Sequence, residues 1–415
     1  MILTKLTTDG FILFGSRILR MFAYGFLSVV LVLYLSKLGL NEFLIGFLLS
    51  LTLIGDAAIS LWMTTRADRV GRRRTLVAGA GLMLLASLLF AGTDKVVLLL
   101  IAAMIGVISP SGYEVGPFLS VEQAALSEIV SDETRTEVFA WYNLVGSFAT
   151  AAGALIGGAL TQILQQMGVI PLNSYRTVVV LYGLIGILMG LFFTRLSAAV
   201  EAAHLGTSQI RRRFGLHRST GVVLKLSALF GLDAFAGGFV LQSIVAYWFH
   251  VRFGVEPALL GGIFFGANIL AGISALSAAW VAARIGLVNT MVFTHLPSNF
   301  LLMLVPLMPN LPLAIVVLFA RFSISQMDVP PRQSYTMALV VPDERSAAAG
   351  VTGIARSIGA AISPTLTGAV LGNPALLGAP FFVAGGLKVI YDVLLYRNFR
   401  AVTGPEHEMV PLRKD

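Results

Sequence analysis

Apolar runs of bilayer-crossing length recur along almost the whole chain. A hydrocarbon core about 30 Å thick takes roughly 20 helical residues to cross. Runs of that order start near Phe11, Phe43, Thr75, Val96, Glu137 and Thr177, then near Gly221, Pro257, Val288, Leu311, Ala347 and Pro380. They predict an all-α integral membrane protein of twelve transmembrane helices. Short breaks with turn and charge signals separate them, among them Lys37-Leu-Gly-Leu-Asn-Glu42, Gly92-Thr-Asp-Lys95 and Asn373-Pro374. No break has room for a soluble domain. The longest polar stretch, from about Ser197 to Ser219, contains Arg211-Arg212-Arg213 and Arg218. It divides the chain into a six-helix bundle over 1–197, a basic cytoplasmic linker over 198–218, and a second six-helix bundle with a short cytoplasmic tail over 219–415.

Composition supports lipid as the solvent. Of 415 residues 57% are hydrophobic and only 12% are charged, against about 25% charged in soluble domains. The absence of cysteine excludes disulfides, thiolate nucleophiles and Cys-based metal sites. The formal net charge of +8 reads as cytoplasmic loops facing anionic lipid and not as nucleic acid binding. Met1 to Gly10 are followed by no small-residue cleavage site, so the first apolar run reads as a retained helix.

The basic loops orient the chain. Arg66, Arg69, Arg72, Arg73 and Arg74 follow span two; Arg195, the Arg211 cluster and Arg218 follow span six; Arg397, Arg400, Arg413 and Lys414 follow span twelve. All fall on one side if every span crosses. The opposite loops hold scattered charges such as Lys37, Lys95 and Arg176. Both termini are therefore expected to be cytoplasmic, with the protein in the plasma (inner) membrane.

The chain also repeats itself. Ala67-Asp-Arg-Val-Gly71 precedes span three and Ala282-Ala-Arg-Ile-Gly286 precedes span nine, with Arg69/Arg284 and Gly71/Gly286 both 215 positions apart. Ser131-Asp-Glu-Thr-Arg135 and Pro342-Asp-Glu-Arg345 precede spans five and eleven, their Asp-Glu steps 211 apart, and Gly157 and Gly368 keep that offset. Two homologous halves related by an axis along the membrane normal are the plan of one large transporter class.

Thr64-Thr-Arg-Ala-Asp68-Arg69-Val-Gly71-Arg72-Arg73 resembles the signature loop of the major facilitator superfamily, Gly-x-x-x-Asp-Arg-x-Gly-Arg-Arg between spans two and three. Thr64 stands where the first glycine is usual. The resemblance implies two pseudo-symmetric six-helix bundles, alternating access, and a substrate site near the midplane. It also implies that Asp68, Arg69, Gly71, Arg72 and Arg135 serve gating, since a carboxylate among guanidiniums can form and break ion pairs as the bundles rock. Gly146, Gly153 and Gly157-Gly158 in span five resemble the superfamily's antiporter motif, with Ala154 at its usual proline and Pro364 at the equivalent place in span eleven. The arginine usual early in span four of drug/proton antiporters is missing, because Leu98 to Val107 holds no charge.

Charges inside spans are costly and should face a cavity or a partner. Span one carries Arg17 and Arg20, with Tyr24 a turn later. Span four carries Glu114 and Glu122 around Pro110-Ser-Gly112 and Gly116-Pro117. Span seven carries Asp233, span ten Arg321, Asp328 and Arg332 around Pro330-Pro331, and span eleven Arg356. Spans one, four, seven and ten line the cavity in the fold the resemblance implies, and they hold most of this charge. Arg17, Arg20, Tyr24, Glu114, Asp233, Arg321, Asp328 and Arg356 are therefore the candidates for substrate binding or coupling. Glu114 and Asp233 are the candidates for protonation, and the arginines could hold an anionic solute.

His295 in span nine and His250 in span seven are less informative, and Tyr247-Trp248-Phe249 reads as an interfacial aromatic belt. No His-x-x-x-His pair and no Gly-x-x-x-x-Gly-Lys-Ser/Thr loop occurs, so neither zinc nor ATP is indicated. The expected function is proton-coupled export of a small amphipathic or anionic organic molecule. The alternatives are an organic-anion symporter or exchanger, and a non-transporting membrane sensor. The expected partners are that solute, protons and membrane lipid, with no nucleic acid, no cofactor, no enzymatic reaction and a monomeric chain.

Overall fold

The twelve apolar runs fold as helices, and the four expected to line a cavity are the ones that break. The computed structural model describes residues 7–114, 116–130, 132–201, 217–341 and 344–400; for 132–137 and 346 it describes the backbone alone. Span one is α1 (Thr8–Ser28) followed by α2 (Leu31–Lys37). Span two is α3 (Glu42–Thr64), and the single turn α4 (Ala67–Val70) leads into span three, α5 (Arg72–Gly92). Span four is α6 (Val96–Ile105) and α7 (Phe118–Ile129). Spans five and six are α8 (Asp132–Gln166) and α9 (Pro171–Thr194).

In the second half, span seven is α10 (Thr220–Gly238) with α11 (Gln242–Phe253). Spans eight and nine are α12 (Pro257–Ile285) and α13 (Leu287–Leu304). Span ten is α14 (Leu311–Phe322) with α15 (Val329–Ala338), and spans eleven and twelve are α16 (Arg345–Leu371) and α17 (Ala379–Phe399). Among the described residues ten helical stretches are long and apolar enough to cross a membrane, and Val96–Ile105 and Leu311–Phe322 are shorter apolar helices. These two open spans four and ten, where glycine and proline interrupt the run.

Local chemistry sets the helix starts. Thr7, Asn41 and Asn310 accept from the backbone N–H of Gly10, Leu44 and Leu313 at 3.3, 2.9 and 3.1 Å, each an N-cap. Pro171 opens α9 six residues before the expected Thr177, since proline at the first turn costs no hydrogen bond. The repeat is visible in the backbone: Gly71 and Gly286 both take positive φ, +107° and +85°, which side chains rarely tolerate.

By compactness the chain divides into two units. One comprises 1–205, 241–269 and 364–377; the other comprises 206–240, 270–363 and 378–415. This division does not follow sequence order, and most of the expected 198–218 linker lies outside the described residues. Glycine contacts account for the first unit. In it α1 and α8 approach so closely that a Cβ at Gly25 would collide with the Thr150 carbonyl, one at Gly153 with Phe22, and one at Gly157 with Phe26. Gly46 of α3 meets Pro364 and Gly368 of α16, and Gly158 of α8 meets Pro257 and Gly261 of α12. Gly46 and Gly261 again stand 215 positions apart. Small residues permit such approach where lipid supplies no hydrophobic drive. In the second unit Gly359 of α16 packs on the Gly231 backbone of α10, and Leu226, Phe230, Met291, Tyr335, Tyr391 and Leu395 form its core. Large apolar side chains such as Trp62, Leu88, Val97, Leu191 and Ile358 remain exposed, as lipid-facing surface requires.

Candidate functional site

In the first unit Arg17 and Arg20 stand about one turn apart on the same face of α1. Helix α6 stops at Ile105 and α7 starts at Phe118, with Gly112 and Gly116 at positive φ between them. Glu114 lies in that unwound segment. It accepts from Arg20 Nε at 2.7 Å and pairs closely with Arg17 Nη1. Glu122, fully buried on α7, receives both terminal nitrogens of Arg20 at 2.6 Å, a bidentate pair. Ser16 Oγ donates to Glu122 at 2.9 Å, and the Tyr142 hydroxyl of α8 also donates to it. The Arg17 guanidinium lies 4.8 Å from the Tyr142 ring centroid, and Arg20 lies 4.8 Å from that of Phe118. Two arginines thus face two glutamates. Asp56 of α3 accepts the backbone N–H of Gly116 and holds the unwound segment in place. Tyr24 is fully buried against Tyr182, at a centroid distance of 6.5 Å, and the Tyr182 hydroxyl donates to the Val107 carbonyl in the same segment.

The second unit holds a larger constellation around Asp233 of α10. Lys388 Nζ of α17 reaches its Oδ1 at 2.6 Å, while Arg332 of α15 and Arg356 of α16 reach Oδ2 at 3.1 and 3.5 Å. Arg332 also pairs with Asp328 at 3.1 Å. His295 of α13 lies 3.9 Å from Asp233 through Nε2 and 2.8 Å from Asp392 of α17 through Nδ1. Asn299 Nδ2 donates to the other Asp392 oxygen at 2.9 Å. Three cations face three carboxylates, a balance that holds when His295 is neutral. Arg356 is the open member, its side chain 37% exposed against 10% for Lys388 and 9% for Arg332.

The structure therefore brings Arg17, Arg20 and Glu114 together in one cluster, and Asp233, Asp328 and Arg356 in the other. Tyr24 joins the first through aromatic packing. Arg321 lies in the last turn of α14 with its guanidinium over the Phe322 ring, 4.8 Å from the centroid. Lys388, Asp392 and Asn299 were not among the sequence candidates, and Glu122, Arg332 and His295 were noted without being chosen. Lys388 and Asp392 stand four apart in an apolar helix, which is a readable signal of a buried charged pair on one face. Among the described residues no group of three or more His, Asp or Glu side chains is placed to hold a metal ion.

The signature loop has its own geometry, entirely within the first unit. Asp68 pairs with Arg72 across one turn at 2.8 Å. Arg72 is buried; its Nη1 donates to the Ala124 and Val200 carbonyls, both at 3.2 Å, and lies 3.4 Å from Glu128. Glu201 accepts the backbone N–H of Arg72 at 2.6 Å and of Arg73 at 3.3 Å, capping α5. A side chain at Gly71 would meet Glu201 as well as an unfavourable φ. Arg69 is exposed. The side chain of Arg135 lies outside the described residues.

Known sequences and folds match this chain. The sequence model of the Major Facilitator Superfamily matches residues 13–364. The chain belongs to that superfamily. An uncharacterized membrane protein of Saccharomyces cerevisiae is 31% identical over 94% of this chain and 94% of its own length. Two solved structures share the fold at low identity. A D-xylose-proton symporter superposes with a TM-score of 0.72 at 13% identity, covering 94% of this chain and 97% of that one. The human organic anion transporter MFSD10 (TETRAN) gives 0.62 at 17% identity, covering 94% and 99%. As a superfamily member the chain is a multi-pass membrane transporter, of a family that is not enzymatic.

Proposed function

We propose that this transporter moves a small organic anion together with protons, by alternating access, as a secondary active carrier. The observation that carries the reading is the sharing of one carboxylate, Asp233, among Lys388, Arg332 and Arg356, with Arg356 the most exposed. In that balanced state an incoming anion must compete with Asp233 for a guanidinium. A proton added to the cluster leaves one cation in excess, and an anionic solute can then neutralise it. Proton and anion bind together under this scheme, which favours co-transport. The printed activities of the two structural neighbours, proton symport and organic anion transport, fit it but belong to those proteins.

Proton-driven export is the second reading, and the glycines of α8 are its source. Gly146 packs on the Arg17 guanidinium, and Gly153 and Gly157 pack on α1. Helix packing accounts for them, so they add little weight to a direction. A non-transporting sensor is disfavoured by the intact Asp68–Arg72 pair. The distribution of basic loops supports an orientation with both termini cytoplasmic.

The test is Asp233→Asn in proteoliposomes. Removing this carboxylate charge imitates the protonated cluster. Anion flux in the variant is expected to lose its dependence on pH while continuing. A pH dependence equal to that of the parent protein would overturn the coupling role of the cluster.

A further inference from the structure

We propose that His295 carries the coupling proton, as the bridge between Asp392 and Asp233. The inference rests on the proton–anion reading above and assigns the proton to a residue outside the cavity-lining spans. His295 sits on α13, and each ring nitrogen faces a different carboxylate: Nδ1 faces Asp392 at 2.8 Å and Nε2 faces Asp233 at 3.9 Å. Asn299 fixes the far oxygen of Asp392, so the Asp392 carboxylate holds the ring in one orientation. Tyr391 packs edge-on against the imidazole with centroids 5.9 Å apart.

The surrounding charges define what protonation does. From α10 the ring meets Asp233, and from α17 Lys388 and Asp392. Beyond Asp233 lie Arg332 and Asp328 of α15 and Arg356 of α16. The charged residue of α14, Arg321, lies over Phe322. With His295 neutral, the Nδ1–Asp392 contact shares one proton, and Nε2 presents a lone pair towards Asp233 at a distance too long for a hydrogen bond. A second proton enters at Nε2. The imidazolium then has an N–H aimed at Asp233 Oδ1, the oxygen Lys388 holds, and adds a fourth cation to a carboxylate whose Oδ2 already serves Arg332 and Arg356. Arg356 has the longest of those contacts, 3.5 Å, and the most exposed side chain, so it is the cation released. One proton bound at His295 thus frees one guanidinium for one anionic solute, and no further reactant is needed.

Exposure grades in the same direction, from Asp392 at 0% and His295 at 6% through Asp233 at 6% to Arg356 at 37%. The proton site is the enclosed end of the cluster and the solute site is its open end. Separating the two lets both ligands be held at once, as co-transport requires.

The experiment uses the full-length protein labelled with 15N at histidine, in nanodiscs, with no solute present. Imidazole nitrogen shifts are followed between about pH 5 and 9, and His295 is assigned by comparison with His295→Asn. We expect His295 to titrate within that range. In Asp392→Asn its titration should differ from that of the parent protein, since the carboxylate that orients the ring is gone. A ring that keeps one protonation state throughout, or that titrates identically in Asp392→Asn, overturns the assignment. Thermal melting of each variant shows whether it is folded, and Asp233→Asn supplies a second perturbation in which the titration should also differ from the parent's. Anion flux in liposomes separates the two levels of the account. A parent protein that moves no organic anion while His295 titrates removes the transport reading and leaves the proton site. Proton-coupled anion flux that keeps its pH profile in His295→Asn removes the proton site and leaves the transport reading.

Discussion

Glu122 is the residue on which the first cluster rests. It is fully buried, and it takes the bidentate pair from Arg20 together with hydrogen bonds from Ser16 and Tyr142. Without the Glu122 charge, Arg17 and Arg20 share Glu114 alone and one cation is in excess; breaking a buried ion pair in this way costs about 3–5 kcal/mol. Glu122→Gln should therefore lower the melting temperature of the purified protein markedly. Arg20→Met combined with Glu122→Leu should recover much of the loss, since both charges then go together. A melting curve for Glu122→Gln that matches the parent protein would mean Arg20 is satisfied without it. At this scale the charged residues were readable, because a charge inside an apolar run stands out in any window. Their partners were not. Asp233 was visible on span seven, but the lysine that holds it sits 155 positions away on span twelve. His295 was visible too, and only the fold shows that its ring reaches between two carboxylates.

Elements carry the next level. Spans one, four, seven and ten each break, at 29–30, 106–117, 239–241 and 323–328. Discontinuous helices expose backbone polar groups only where protein or a cavity receives them. The glycine and proline of span four made its break readable, and Pro330-Pro331 pointed to that of span ten. The break between α10 and α11 follows no proline but comes directly after Gly237-Gly238, a weaker signal than a proline. The glycine contacts of α3 with α16 and of α8 with α12 set a different expectation. Gly158→Leu or Gly368→Leu would overpack these crossings at a cost of about 1–3 kcal/mol. A carrier that passes through this packed state should then turn over about tenfold more slowly or worse, with solute affinity little changed. Flux equal to that of the parent protein would show that the crossings play no part in the cycle.

The loop preceding α16 supplies a pH-dependent cap outside the spans. Burial of the Glu344 carboxyl works to raise its pKa. The backbone N–H groups of Arg218, Ser219 and His217 at the start of α10 outweigh that and hold it at about 2. A carboxylate lowered in the folded protein stabilises it above its unfolded pKa, near 4.5, and the contribution is lost as pH falls towards about 2. The stability difference between parent and Glu344→Gln should accordingly be full at neutral pH and shrink as the medium is acidified below about 4.5. A difference independent of pH would contradict the ionised cap.

At the scale of the molecule, two copies of one six-helix plan have diverged in chemistry. The repeat was readable in loops, where Gly71 and Gly286 answer to the same backbone demand. The first copy pairs two arginines with two glutamates in an enclosed setting. The second gathers three cations and three carboxylates around a histidine and leaves Arg356 open. That asymmetry is the ground for placing proton and anion binding in the second copy, and no alternation of apolar residues could have disclosed it.

The most direct test of the account is solute flux by the purified protein in liposomes with an imposed proton gradient, across a panel of organic anions and organic cations. The account predicts anion movement down the proton gradient, in the same direction as the protons, and loss of its pH dependence in Asp233→Asn. Gradient-driven movement of cations against the protons, with anions left in place, would contradict it.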